Sequence, residues 1–272
     1  ALILVFWGSL SSMNDVTHLC LFDIPVIGNI PNMVYLAPTC REEYMAMLEW
    51  GIRQTEHPVA IRVPANGVVR RNVEPEKDYG KTLNRYEVSH RGEKVAILGL
   101  GSFYQLGEAV AARLKEEKGV DATLVNPRYI TGVDEALLDD LKRDHTLVIT
   151  LEDGVLDGGF GEKIARYYGP SDMKVLNYGV KKEFIDRYDV EEQLKDLVRI
   201  EKGDASNCIS FFYLFNTQFL GNILRQCILV HNDVHCFIAH ESFGSIPQSF
   251  VLSGFTPRVL YHIVLFAVLI LG

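Results

Sequence analysis

The sequence predicts an α/β protein built on mostly parallel sheets, and three observations carry that prediction. Apolar runs of strand length alternate with segments of helical periodicity. The run at 95–100 (VAILGL) is apolar on both faces, as a strand sandwiched between helices must be. Glycine-bearing turns lead from strand into helix.

The elements fall into two sets. In the first, strands are expected at 1–6, 33–37 and 59–63, the last closed by Pro64, with a helix over 41–54 that places Met45, Leu48 and Ile52 on one face. Residues 66–92 are charged, poor in apolar runs and contain Pro75, so a boundary is expected there. In the second set, strand 95–100 turns through Gly99 and Gly101 into a helix over 104–118. Strands at 122–125, 146–151 and 173–177 then alternate with helices at 134–143 and 162–168 and within 182–198. The expected organisation is a first domain at 1–72, a linker at 73–92, a second domain at 93–202 and a tail at 203–272. The 272 residues, 48% hydrophobic with 22 glycines, suffice for one or two cores.

The tail is written differently from the rest. Beyond residue 202 there is no lysine, and only Asp204, Arg225, Asp233, Glu241 and Arg258 are charged. Without a clean period of 2 or 3.6 over most of its length, it is expected to be unstructured. His231, His235, Cys236 and His240 are metal-ligand types, two of them four residues apart, but the surrounding text gives them no element to sit on, and no metal site is assigned. The closing, mostly apolar stretch 259–272, 14 residues long, is shorter than the roughly 18 to 20 a transmembrane helix needs. The opening run at 1–7 lacks a charged leader and is read as a strand.

Charge narrows the function classes. A net charge of −8 leaves no basic footprint for nucleic acid or an anionic membrane surface. The five cysteines are odd in number and form no CxxC pair, which suits a reducing cytoplasm better than a disulfide framework or a zinc knuckle. A phosphate-cradling role for Gly158-Gly-Phe-Gly161 is disfavoured, because a dinucleotide fingerprint follows the first strand and this loop lies at the fourth.

Several segments share the wording of one family. THLCLFD at 17–23, followed by IPNMVYLAP at 30–38, resembles the TH(Q/H)GxFD…IPxMVxxAP stretch of a pyrimidine-binding domain. VAIRVP at 59–64 resembles the AxRYPRG strand that ends that domain. RYITGVD at 128–134 and LEDGVLDGGFG at 151–161 resemble the RFxxPLD and (V/L)E(E/D)GxxxGGxG segments of a transketolase C-terminal domain. By these motifs the chain is similar to the deoxyxylulose-phosphate synthases, a thiamine-diphosphate-dependent branch of the transketolase family, over residues 1–202. The resemblance implies part of a pyrimidine-binding domain joined to a transketolase C-terminal domain. It also implies a homodimer or a further N-terminal section, and transfer of a two-carbon unit from pyruvate to glyceraldehyde 3-phosphate with thiamine diphosphate and Mg2+. The cofactor ligands of such enzymes match nothing in this chain and are expected upstream of it.

The resemblance assigns His18 as catalytic and Asn14, Asp23 and Arg62 as substrate-binding. A loop-capping role for His18 and a turn-forming role for Asp23 are the structural alternatives. Trp7 and Ala65 stand where the family pattern carries arginines that grip a phosphate, and Asn14 stands where it carries an acid, with Asp15 adjacent. Those departures leave open another acceptor, another transketolase-like enzyme section, or a non-catalytic interaction module.

Overall fold

The computed structural model describes residues 1–6, 8, 20–64 and 67–185. His18, Asn14, Asp15, Trp7 and Ala65 lie outside the described residues, as do the helices expected beyond residue 185 and the whole tail with its histidines and Cys236.

Two sheets meet on a shared apolar cluster, and each has a further cluster of its own. The first is a three-stranded parallel sheet of β1 (Leu2–Phe6), β3 (Val59–Val63) and β2 (Val34–Leu36), in the order β1-β3-β2. A short α1 (Asp23–Ile27) precedes β2, and α2 (Arg41–Arg53) follows it. Helix α2 buries Met47 and Trp50 against Val59, Ile61 and Tyr79, so the face turned to the sheet is the one opposite Met45 and Ile52, which are exposed.

The second sheet has the order β4-β6-β5-β7-β8: β4 (Glu87–His90), β6 (Thr123–Asn126), β5 (Lys94–Gly99), β7 (His145–Val155) and β8 (Lys174–Val180). All neighbours run parallel except β4 with β6. Helices α3 (Tyr104–Lys118), α4 (Glu135–Leu141) and α5 (Phe160–Tyr168) cover it. Central β5 pairs on both edges, and Ala96, Ile97 and Leu98 are fully buried, as its unbroken apolar run requires. Gly99 lets the chain fold tightly into α3: a Cβ there would lie 2.6 Å from Tyr104 Cα. Helix α3 ends where Gly119, at φ 67°, donates back to the carbonyls of Leu114 and Lys115. Helix α4 starts on Asp134, whose side chain accepts from the Leu137 amide.

Three elements differ from the sequence expectation, the first being α1 at Asp23–Ile27, where no helix is expected. Residues 87–90, placed within the linker, are β4. That strand is exposed on both faces at the sheet edge, so no apolar alternation marks it. Strand β7 continues past Leu151 to Val155, carrying Glu152 and Asp153 into the interior.

The sheets are joined through backbone and side chains. Ala37 N donates to Arg128 O at 2.9 Å and Ile130 N to Tyr35 O at 2.8 Å, a short antiparallel pairing that continues β2 into the second unit. Buried Glu43 on α2 accepts from Asn126 Nδ2 at 2.7 Å and from the Thr39 amide and hydroxyl. Arg71, in the polar stretch, pairs with Glu108 on α3 and lies over the Tyr104 ring at 5.1 Å.

Candidate functional site

Among the described residues, the largest concentration of buried charge lies where β3, α1 and the end of β7 meet. An arginine and two aspartates inside an apolar strand or helix demand partners, since an unpaired buried charge costs several kcal/mol. Here they find one another. Arg62 on β3 is 3% exposed; its Nε donates to Asp23 Oδ2 at 2.6 Å and its Nη2 to Asp23 Oδ1 at 3.3 Å. Its Nη1 donates to Asp153 Oδ1 on β7, and Nη2 reaches the Asp153 carbonyl at 3.5 Å. Every guanidinium nitrogen is thus engaged by protein.

Hydroxyls complete the carboxylates. Tyr35 of β2 donates to Asp23 Oδ2 and Ser102, in the turn between β5 and α3, to Asp153 Oδ2, both at 2.5 Å. Burial alone would lower the Arg62 pKa, but Asp153 and then Asp23 hold it well above its ordinary value, so the guanidinium stays charged. Burial raises the Asp153 pKa, with Arg62 and Ser102 pulling the other way. Burial and then Asp23 push the neighbouring Cys20 thiol up to about 11.

Two backbone contacts lie near this cluster, at described residues before and after positions 9–19. At one end Gly8 donates to Val63 O at 3.3 Å and lies so close to Arg62 that a Cβ would sit 2.7 Å from its Cγ. At the other end, Leu21 O accepts from Val155 N at 3.0 Å, two residues before Asp23 enters the clamp.

A second buried acid lies beside the first. Glu152, fully buried, accepts from the Phe160 amide at 2.8 Å and the Gly161 amide at 2.7 Å. It therefore fills the N-terminus of α5, the position a phosphate bound by Gly158-Gly-Phe-Gly161 would need. Burial pushes its pKa to about 7 against the pull of the two amides and Arg62.

Of the residues singled out from sequence, Asp23 and Arg62 are brought together, in the interior and facing each other. Tyr35, Ser102, Glu152 and Asp153 were not singled out. The signal for the last two was present: adjacent acids between ITL and GVL, inside a strand that is otherwise apolar, need interior partners.

Thiamine diphosphate with Mg2+ needs a set of open oxygen ligands near the diphosphate. The interior carboxylates do not offer one: Asp23 and Asp153 are taken by Arg62, Glu152 by the α5 amides and Glu43 by Thr39 and Asn126. No group of three or more His, Cys, Asp or Glu suited to a metal ion occurs among the described residues. The described residues do not fit the diphosphate and metal end of the cofactor.

Residues 84–201 match the family model described as transketolase, C-terminal domain, and that stretch is similar to the C-terminal region of transketolase-family proteins. The same fold is seen in a solved chain titled "Split gene transketolase, inactive beta4 tetramer". The TM-score is 0.61 at 21% identity, over 79% of this chain and 66% of that one. Within the family, the chain is similar to the 1-deoxy-D-xylulose-5-phosphate synthases. It is 35% identical over 181 residues to that of Clostridium tetani (strain Massachusetts / E88), covering 66% of this chain and 28% of the relative. To that of Clostridium botulinum (strain Alaska E43 / Type E3) it is 35% identical over 203 residues, covering 72% of this chain and 31% of the relative. The chain thus spans less than a third of the length of these relatives.

Proposed function

We propose that the chain is a section of a thiamine-diphosphate-dependent transferase that condenses pyruvate with glyceraldehyde 3-phosphate. The supporting observation is that similarity to the synthases extends over 203 residues, well beyond the 84–201 domain. In this reading the three-stranded unit is the closing part of a pyrimidine-binding domain. The cofactor's diphosphate and metal are held by a section outside this chain or by a partner protomer. His18 hydrogen-bonds the reacting oxygens, Asn14 contacts the substrate, and Asp23 and Arg62 serve it by fixing the chain on either side of the 9–19 segment.

The test is complementation. The chain is co-expressed with the N-terminal section of the Clostridium tetani relative, and glyceraldehyde-3-phosphate-dependent pyruvate consumption is measured. Activity that falls by about 10²–10⁴ in His18→Ala, the usual share of a positioned proton donor, is the expected result. A folded complex that leaves pyruvate untouched overturns the proposal. Titration of the chain alone with thiamine diphosphate and Mg2+ is expected to show no micromolar binding, and micromolar binding would overturn the shared-site arrangement. Trp7 and Ala65, at positions where the family pattern has phosphate-gripping arginines, favour a second reading with a different acceptor. Pyruvate consumption driven by an unphosphorylated aldehyde in preference to the phosphorylated one would select that reading.

A further inference from the structure

We infer that an open cavity beside α4 binds a small α-amino acid with an aliphatic side chain. The inference is independent of the proposed function, because it concerns binding alone and a different part of the surface.

The cavity, of about 490 Å³, lies between residues 83–85 of the polar stretch and residues 133–139 at the start of α4. That is within the roughly 300–1,000 Å³ of small-molecule sites. Its walls are built before any ligand arrives. Asn84 takes a left-handed backbone, at φ 58°, and wedges its amide against Gly132, where a Cβ would lie 2.2 Å from the Asn84 Cγ. Next along the chain, Arg85 Nη1 donates to Asp134 Oδ1 at 2.8 Å and the Tyr86 amide to Asp134 Oδ2 at 2.9 Å. The Tyr86 hydroxyl donates to Gly132 O at 3.0 Å. These contacts fix the two segments against each other, so a ligand has little ordering to impose.

The polar groups on the walls divide by charge. Asp134 is taken by Arg85, the Tyr86 amide and the Leu137 amide. The Arg85 side chain, 59% exposed, engages only Nη1 among the described residues, which leaves the rest of its fork for an anionic oxygen. Opposite it, Glu135 and Asp139 stand four residues apart on one face of α4. Asp139 gives Oδ1 to Lys142 Nζ and to the Tyr167 hydroxyl, both at 2.7 Å, and keeps Oδ2. The Glu135 carboxylate accepts no hydrogen bond among the described residues. Matching Arg85 with Asp134 and Lys142 with Asp139 leaves Glu135 uncompensated, and an ammonium supplies the missing charge. Leu83, Val133 and Ala136 add an apolar surface to the same cavity. A carboxylate for the guanidinium, an ammonium for the acids and a short apolar chain are the three parts of an aliphatic amino acid.

Saturation-transfer NMR of the full chain titrated with leucine reads binding directly. A dissociation constant of about 1 mM or tighter is expected for a ligand of this size. 4-Methylpentanoate lacks the ammonium and 3-methylbutylamine lacks the carboxylate. Each is expected to bind about tenfold or more weakly than leucine, the loss of one charge-assisted interaction. Glu135→Gln is expected to weaken leucine binding about tenfold. Ala136→Phe, which fills the cavity from α4, is expected to abolish the transfer. Both positions are exposed, so both variants are expected to keep the wild-type circular dichroism spectrum. Glu116→Gln makes the same charge change at an exposed position of α3 that does not line the cavity, and it is expected to leave binding unchanged. Absence of saturation transfer to leucine overturns the inference. So does either analogue binding as tightly as leucine, equal weakening by Glu116→Gln and Glu135→Gln, or undiminished binding in Glu135→Gln or in Ala136→Phe.

Discussion

Replacing Arg62 by methionine strands two carboxylates. The side chain is 3% exposed, and it satisfies both oxygens of Asp23 and one of Asp153. After Arg62→Met, Asp23 retains only the Tyr35 hydroxyl among these partners, and Asp153 only that of Ser102. Removing one member of a buried ion-paired set costs about 3–5 kcal/mol, because the desolvation of the remaining charges is no longer offset. For a folded region of this size, each kcal/mol moves Tm by about 2–4 °C, so the drop is on the order of 6–20 °C. The pH dependence has a definite sign. Burial already raises Asp153, and without the guanidinium it rises further. A carboxylate whose folded pKa lies above its unfolded one binds more protons when folded, so stability is lost as pH rises through that window. The gap between wild type and variant therefore widens from pH 5 to pH 8. Urea unfolding followed by circular dichroism at both pH values measures it. A gap below about 1 kcal/mol, or one that narrows with pH, refutes the account of the clamp. The triple change Asp23→Asn, Arg62→Met, Asp153→Asn should recover much of the loss, since no charge is then left buried.

Glu152 makes its own pH prediction. With its pKa moved from 4.5 to about 7, the folded protein loses stability as pH rises from about 5 to 7, by on the order of 3 kcal/mol, and Glu152→Gln should flatten that slope in Tm against pH. Asp134→Ala removes the α4 cap and leaves the buried Tyr86 amide without its carboxylate at 2.9 Å. A loss of about 2–3 kcal/mol by urea denaturation is expected. Gly161→Ala drives a Cβ to 2.5 Å from Thr150 Oγ1 and 2.8 Å from Asn177 Cγ, so destabilisation of about 1–3 kcal/mol is expected, in contrast to the gain an alanine usually gives a helix.

Much of the architecture is legible in the sequence because parallel strands must be apolar throughout. The runs at 59–63 and 95–100 carry that signature, and the structure pairs both on two edges. What escapes is whatever lacks burial or length. Strand β4 has no buried residue to give it a period, and α1 spans five residues with Pro25 inside its first turn, where a helix tolerates proline but a periodicity reading sees a turn. The clamp is half-legible for a different reason. Asp23 and Arg62 stand in motifs that draw attention to them, but which acid an interior arginine selects depends on a contact across 91 positions of chain, and no local pattern specifies it.

That non-local contact bears on how the two units depend on each other. Had Arg62 been satisfied wholly within the three-stranded unit, Asp23 could have balanced it and Asp153 would have been free to face solvent. Instead the second carboxylate comes from the end of β7, beside Gly154 packed under Ile24 and Glu152 locked onto α5. Separating the units would expose an arginine with one partner on one side and an unpaired aspartate on the other, in addition to the shared apolar core that joins Val5, Tyr35 and Ala60 to Leu98, Val125 and Ile130. Both terms oppose separation, and they respond oppositely to salt: screening weakens the charge pairing, whereas excluded anions such as sulfate strengthen apolar burial. Buried pairs are screened little, so sulfate should stabilise the joined units as a whole, and the clamp contributes geometry at the joint more than net cohesion.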